Sequence, residues 1–322
     1  MHDPPEEPAA PSGRQLTISD GRQRATVTEV GASLREYDVD GEPVVWPYAS
    51  HEMSTGGRGQ VLAPWPNRIE DGTYRFGGVT AHVPLDEPDR HNAIHGLVRW
   101  LTWRVDEHTD TSVRLSCVVA PQPAYPWRLA LALNYELSGT GLIVEASAEN
   151  RSLVDAPFGI GAHPYLDAGP EGVDGCVLWL QASRHLVLDD RGIPRSSEGV
   201  EGTPLDLCGG RELAAVQLDD CFTDLGLTPA AAAPEGAAWQ AVLVRADGRR
   251  STLWADGAWP YVMCYTGDTV APEDRRRGVA VEPMTCPPNA LRSGEAVVTI
   301  VPGGSWSGTF GISGSRRLGQ SP

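Results

Sequence analysis

Apolar and polar residues alternate along much of the chain. In the segment WRLALALNYELSGTGLIVEASAEN, Leu129, Leu131, Leu133, Tyr135 and Leu137 fall on one face of an extended backbone. After the turn Ser138-Gly139-Thr140-Gly141, Leu142, Val144, Ala146 and Ala148 do so again. A period of two, broken by turn residues, predicts a β-hairpin with one face toward a core. Shorter strands are predicted at Gln15–Ser19, Arg24–Val30, Ser112–Val119, Val177–Ala182, Gln240–Arg245, Ser251–Trp254, Tyr261–Tyr265, Val279–Glu282 and Ala296–Val301. Turn dipeptides separate several of them: Asp40-Gly41, Gly77-Gly78, Asp247-Gly248 and Asp256-Gly257. Helical spacing is confined to a short stretch at Arg211–Val216. There is no βαβ rhythm and no internal repeat of about 20–50 residues, which sets aside doubly wound sheets, α/β barrels, propellers and solenoids. The Ala/Pro/Gly-rich stretch Thr228–Ala238 reads as a surface loop, because strand patterning resumes directly after it. The expected fold is all-β: one large, mostly antiparallel β-sandwich over residues 14–315. An acidic, Pro-rich disordered tail is expected at 1–13 and a flexible tail at 316–322.

Composition narrows the function. A chain of 322 residues can bury a substantial core without disulfides or metals. Its 36 Gly and 27 Pro suit strands and turns. All 26 basic residues are Arg, so the chain has no Lys. Schiff-base and pyridoxal-phosphate enzymes, and phosphate loops of the GxxxxGK[ST] type, all need one. A formal charge of −16 argues against nucleic acid and against an anionic membrane surface as partners. No run of about 18 apolar residues is present to span a membrane, and the first residues lack the apolar segment of a signal peptide. The six cysteines are scattered without a CxxC pair, which fits a reduced, cytoplasmic protein.

Four segments carry polar, aromatic and Gly/Pro residues at a density typical of site-forming loops. In GQVLAPWPNRIEDGTYRFGG, Asn67 and Arg68 follow Pro64-Trp65-Pro66. The prolines fix the local backbone, an Asn amide and an Arg fork suit adjacent hydroxyls, and Trp65 either stacks on a sugar or fills the core. In HNAIHGLVRW, His91 and His95 have the i, i+4 spacing of a zinc pair. No Glu lies between them and no third ligand cluster is evident, so no metal site is expected. Each is either a site residue or a hydrogen-bonded structural histidine. In FGIGAHPYLDAG, Gly161, Ala162 and Pro164 bracket His163 with small and rigid residues. The segment lacks the third Gly of a dinucleotide fingerprint. His163 is either a general acid or base near neutral pH or a partner of a nearby loop. In VAVEPMTCPPNAL, Glu282 ends an apolar strand. It is either a partly desolvated base or paired with one of Arg275, Arg276 or Arg277.

Taken together, the Pro-Trp-x-Asn-Arg-Ile run, Asn-x-Ile-His-Gly, His-Pro-Tyr, Glu-Pro-Met-Thr and Asn-Ala resemble, in order and spacing, the aldose 1-epimerase (galactose mutarotase) family over about residues 14–314. LDDCFTDL adds an Asp three residues before a Phe, Asp219 and Phe222, with Asp220 as a competing register. The resemblance implies a sandwich with an open carbohydrate cleft that interconverts the α and β anomers of a free aldose, with no metal and no organic cofactor. It implies Glu282 as the base and His163 as the acid. His95 completes that catalytic set and, with Arg68 and Asp219, holds the sugar hydroxyls and ring oxygen. Asn67 and Tyr165 are substrate-binding by adjacency to motif positions. The implied partner is a small-molecule sugar, and the chain is a monomer or homodimer.

Mutarotation takes a proton from the C1 hydroxyl and gives one to the ring oxygen, so it needs an acceptor and a donor on either side of that edge. A hexose-6-phosphate epimerase is the nearest rival. It needs convergent arginines for the phosphate, and Arg275–Arg277 is the one tight run. A non-catalytic sugar-binding protein on the same sandwich is a second rival. A glycoside hydrolase or lyase with a carboxylate pair is a third.

Overall fold

The computed structural model describes residues 10–214 and 216–315. The tails expected at 1–13 and 316–322 lie outside those residues except for 10–13. That short piece forms a turn in which the Gly13 N–H donates to Ala10 O, and Ser12 O accepts the Val30 N–H.

Alternation along the chain becomes two faces of sheet. Leu129–Ser138 and Gly141–Asn150 pair antiparallel in register, with Leu133 opposite Ala146. Their apolar faces are at most 5% exposed, and each fully buried Leu contributes ~2 kcal/mol. This hairpin lies in a 16-stranded sheet whose order runs from Arg104–His108 through the hairpin to Ser305–Ser315, Arg250–Ala255, Trp239–Val244 and Val177–Leu188. The sheet continues through Asp219–Gly226, Tyr261–Tyr265, Gly278–Met284, Gly161–Ala162 and Val61–Leu62. Val177–Leu188 joins the two halves. Its first residues pair with Trp239–Val244 and the rest with Asp219–Gly226. A four-stranded sheet, built from Gln15–Asp20, Gln23–Thr28, Leu34–Val39 and Glu42–Pro43, packs on the same core. The architecture is the expected antiparallel sandwich. Asp40-Gly41 and Gly77-Gly78 each have positive φ at both residues and close hairpins, as tight primed turns require.

Two local expectations are corrected. The helical spacing at Arg211–Val216 belongs to a two-residue strand, Arg211–Glu212, and a turn in which the Val216 N–H donates to Leu213 O. Leu213 and Val216 reach the core from that turn. The single α-helix among the described residues is one turn long, Ala290–Ser293. Glu282 also does not end its strand, which runs on to Met284.

Candidate active site

The candidate residues converge where the last strands of the large sheet meet the loops beside Gly161–Ala162. Gly161 pairs with Met284, and Tyr165 pairs with Ala280. The same register sets His163 opposite Glu282. On the other edge, Glu282 faces Met263, and Asp219 faces Tyr265. Alternation then puts Asp219, Tyr265, Met263 and Glu282 on one surface. A two-stranded ribbon delivers the rest: Arg68–Glu70 pairs with Asn92–Ile94, which brings Asn67 and Arg68 beside His95. A cleft of roughly 520 Å³ is lined by all seven residues expected from sequence: Asn67, Arg68, His95, His163, Tyr165, Asp219 and Glu282.

At its floor, His163 Nε2 stands 3.2 Å from Glu282 Oε1, and both side chains are buried. Glu282 Oε2 and His163 Nδ1 have no hydrogen-bond partner among the described residues. Burial pushes the Glu282 carboxyl well above its ordinary range, the nearby charge of Asp219 adds to this, and Arg68 opposes it. Burial likewise drives the His163 imidazolium down to about 3. Both effects have one cause: a charge costs more free energy where water is excluded. The ring of His163 stacks on Tyr165 at 5.1 Å and meets His95 edge-on at 5.4 Å.

His95 has a defined tautomer. The Asn67 N–H donates to its Nδ1 at 3.2 Å, so in the neutral ring the proton lies on Nε2. Burial, then the proximity of His163, holds the ring neutral. Asn67 and His95 both adopt left-handed backbone angles, φ 54° and 64°, and the His95 N–H donates to Asn67 O. Arg68 donates from Nε and Nη2 to both oxygens of Glu87, at 2.8 and 2.9 Å. The Asn92 amide in turn donates to Glu87. This fork is rigid before any ligand arrives. Desolvation opposes the Arg68 charge, and the bond to Glu87 together with the charges of Asp219, Glu87 and Glu282 more than offsets it.

Asp219 lines the cleft with a half-exposed carboxylate, 3.8 Å from Arg90. Asp220 alternates away. It accepts the Asp219 N–H and lies 3.9 Å from His185. The other readings separate as clearly. Trp65 is in the core, 2% exposed, and does not line the cleft. His91 is on the surface against Asp71 and does not line the cleft with His95. Of the run Arg275–Arg277, none lines the cleft, and Arg276 is tied to Asp174 and Asp268. Sequence reasoning missed Glu87, Tyr265, Met263 and Gly57 in the lining. The one signal was the charge-dense stretch Asp86–Arg90, which holds Glu87.

The family model described as aldose 1-epimerase matches residues 14–313. A curated protein of Escherichia coli K12, "uncharacterized protein YihR", is 34% identical over 311 residues, with 95% of each chain covered. Among solved structures, a galactose mutarotase-like protein from Clostridium acetobutylicum superposes with a TM-score of 0.80 at 21% identity, covering 93% of this chain and 94% of that one. A GalM/aldose epimerase homologue from C. elegans gives 0.82 at 18%, covering 95% and 99%. Galactose 1-epimerase from Lactobacillus acidophilus gives 0.77 at 20%, covering 94% and 95%. At these identities the structures speak to the fold.

Proposed function

The chain belongs to the aldose 1-epimerase family, and on that premise we propose that its cleft interconverts the α and β anomers of a free aldose of the glucose or galactose type. The observation that carries this reading is the buried contact of 3.2 Å between His163 Nε2 and Glu282 Oε1 on the cleft floor. With the sugar bound, the one proton that Glu282 held before binding passes to His163 across that contact. Glu282 as carboxylate then accepts the proton of the C1 hydroxyl, while His163 as imidazolium gives one to the ring oxygen. The C1–O5 bond breaks and the open-chain aldehyde forms. Rotation about C1–C2 presents its other face, and the two groups reverse roles as the ring closes. The pair begins and ends with one proton, so the cycle balances. Each proton transfer is worth ~10²–10⁴-fold in rate.

Around this pair, Arg68, Asn67 and Asp219 hold the hydroxyls, and His95 donates from Nε2 to a sugar oxygen. Tyr165 backs the His163 ring. Each cleft arginine already faces a carboxylate: Arg68 with Glu87, Arg90 with Asp219, Arg99 with Asp86. That pairing leaves no free cationic cluster there and favours an uncharged sugar over a hexose 6-phosphate. Polarimetry on freshly dissolved α-glucose and α-galactose, with glucose 6-phosphate as the competing arm, tests the assignment. Faster mutarotation of the free sugars, abolished in Glu282→Gln, is the expected result. Turnover of the phosphate alone would overturn the substrate, and near-normal turnover in folded Glu282→Gln would overturn the mechanism.

A further inference from the structure

Arg58 is a buried cation with no part in the chemistry above. It is 4% exposed, and its guanidinium carbon lies 3.8 Å over the Trp46 ring and 5.4 Å from the Tyr48 ring. Its Nη1 donates to Pro47 O at 3.3 Å, and its Nη2 donates to Thr55 Oγ1 at 3.0 Å. Nη2 also stands 3.6 Å from Asp274, just beyond Thr269, Val270 and Ala271, which line the cleft along with Thr55, Gly56 and Gly57. One guanidinium thus ties together two segments of the cleft wall. A desolvated guanidinium over Trp is held there by the negative face of the ring.

The loop that Arg58 anchors is the one that holds His163. The Gly59 N–H donates to His163 O at 2.9 Å, and the His163 N–H donates to Gln60 O at 3.0 Å. Two residues back, Gly57 has φ +74°, and a Cβ there would stand 2.5 Å from His163 Cδ2 and 2.8 Å from Nε2. The bare backbone of Gly57 is therefore in contact with the imidazole. The Tyr165 hydroxyl donates to Gly56 O at 2.8 Å while its ring stacks on His163. Trp46, under the guanidinium, meets Tyr165 edge-on at 5.7 Å, and its backbone N–H donates to Tyr165 O at 2.8 Å.

We propose that Arg58 is a positioning residue of the site. By clamping the 54–60 loop between Trp46 and Asp274, it keeps Gly57 on the His163 ring and fixes where that ring points. The proposal rests on the reading of His163 as the proton donor. The titratable and charged groups that face His163 are Glu282, His95 and Tyr165, with Arg99 further off. Arg58 acts on it through the loop.

The test is Arg58→Met, which keeps a long apolar side chain over Trp46 and removes the polar ties of the guanidinium. A shift of the reacting groups of the order of 1 Å lowers turnover about 10²-fold. The expected result is a fall in kcat of about tenfold or more with little change in KM. In protein labelled at its histidines with nitrogen-15, the His163 titration should move upward as water reaches the loosened ring. Arg58→Lys should restore part of both. A folded Arg58→Met with wild-type kcat and an unmoved His163 titration overturns the proposal. If Arg58→Met does not fold, Thr55→Val, which removes the hydroxyl between Arg58 and Asp274, and Asp274→Asn, which removes the charge facing the guanidinium, must each show the same shifts in smaller size, and no shift in either also overturns it. If the wild type proves inactive on every aldose, the functional reading fails, and the titration still decides the role of Arg58.

Discussion

Replacing Glu282 by Gln and His163 by Asn should tilt the pH dependence of folding stability in opposite directions. In the folded protein, burial favours the uncharged form of each group. The carboxyl keeps its proton well above the ordinary 4.5, and the imidazole stays neutral down to about 3 in place of 6.5. Between pH 4.5 and 6.5 the folded pair therefore carries one proton, on the carboxyl. The unfolded chain also carries one in that window, on the imidazole. The counts match, so the pair adds little slope of its own. In Glu282→Gln only the imidazole remains. The unfolded state takes up a proton below 6.5 that the folded state refuses, so stability is lost as pH falls from 6.5 toward 3. In His163→Asn only the carboxyl remains. The folded state keeps a proton that the unfolded state releases above 4.5, so stability is lost as pH rises through the window. A difference of one proton is worth ~1.4 kcal/mol per pH unit, and titration at both ends of the window reduces the change in each variant to ~2 kcal/mol. Urea unfolding followed by tryptophan fluorescence at several pH values, with wild type as reference, measures it. His95, also buried and neutral, bends all three curves alike. Slopes of the same sign in the two variants would refute the argument that burial alone sets where the proton sits.

The same two variants should each lose ~10²–10⁴-fold in kcat by polarimetry, and the double variant should be little worse than the poorer single one, because the groups act in one relay. Arg68→Ala and Asp219→Asn should raise KM, and lower kcat to the extent that C1 is misplaced. Asp220→Asn, one residue along but facing His185, should change KM less than Asp219→Asn. Gly57→Ala should lower kcat in a folded protein, since the new methyl meets the His163 ring and strains a positive φ. A wild-type rate in that variant would mean the ring has room to move.

The fold was legible wherever one face of a strand is buried and the other wet. The hairpin from Leu129 to Asn150 and the strand Ser112–Val119 are of this kind, and their observed bounds follow the alternation closely. Arg104–His108 and Pro194–Gly199 have no buried residue. They hold their place by backbone pairing to a neighbour, which leaves no periodic trace in the side chains. Ser183–Leu188 was missed for a related reason. The strand crosses from one half of the sheet to the other there, and the set of buried positions becomes irregular. Arg211–Val216 misled because a spacing of three suits a helix turn and a bend alike.

The site was legible for a different reason: Asn67, Arg68, His95, His163 and Glu282 each lie beside Gly or Pro in segments whose order resembles one family, and Asp219, in LDDCFTDL, came from that resemblance alone. That argument reaches no further than the segment itself. Glu87, Tyr265 and Gly57 enter the cleft because the ribbon at Arg68–Glu70, the register of Tyr261–Tyr265 and the loop around Arg58 bring them there, and apart from the charge-dense stretch around Glu87 nothing beside them in sequence says so. The arginines make the same point about charge. The eye goes to Arg275–Arg277, three together, yet proximity in sequence at a loop spreads side chains apart, and Arg276 turns to Asp174 and Asp268. Arg68, Arg90 and Arg99 are scattered in sequence and converge on one cleft. Each meets a carboxylate there, so what the fold assembles is a set of directed hydrogen-bond donors rather than a field of positive charge. On the proposed reading such a surface orients the hydroxyls of a neutral ring, and because the charges of Asp219 and Arg68 act on Glu282 in opposite senses, burial is left as the main influence on where the proton shared by Glu282 and His163 sits.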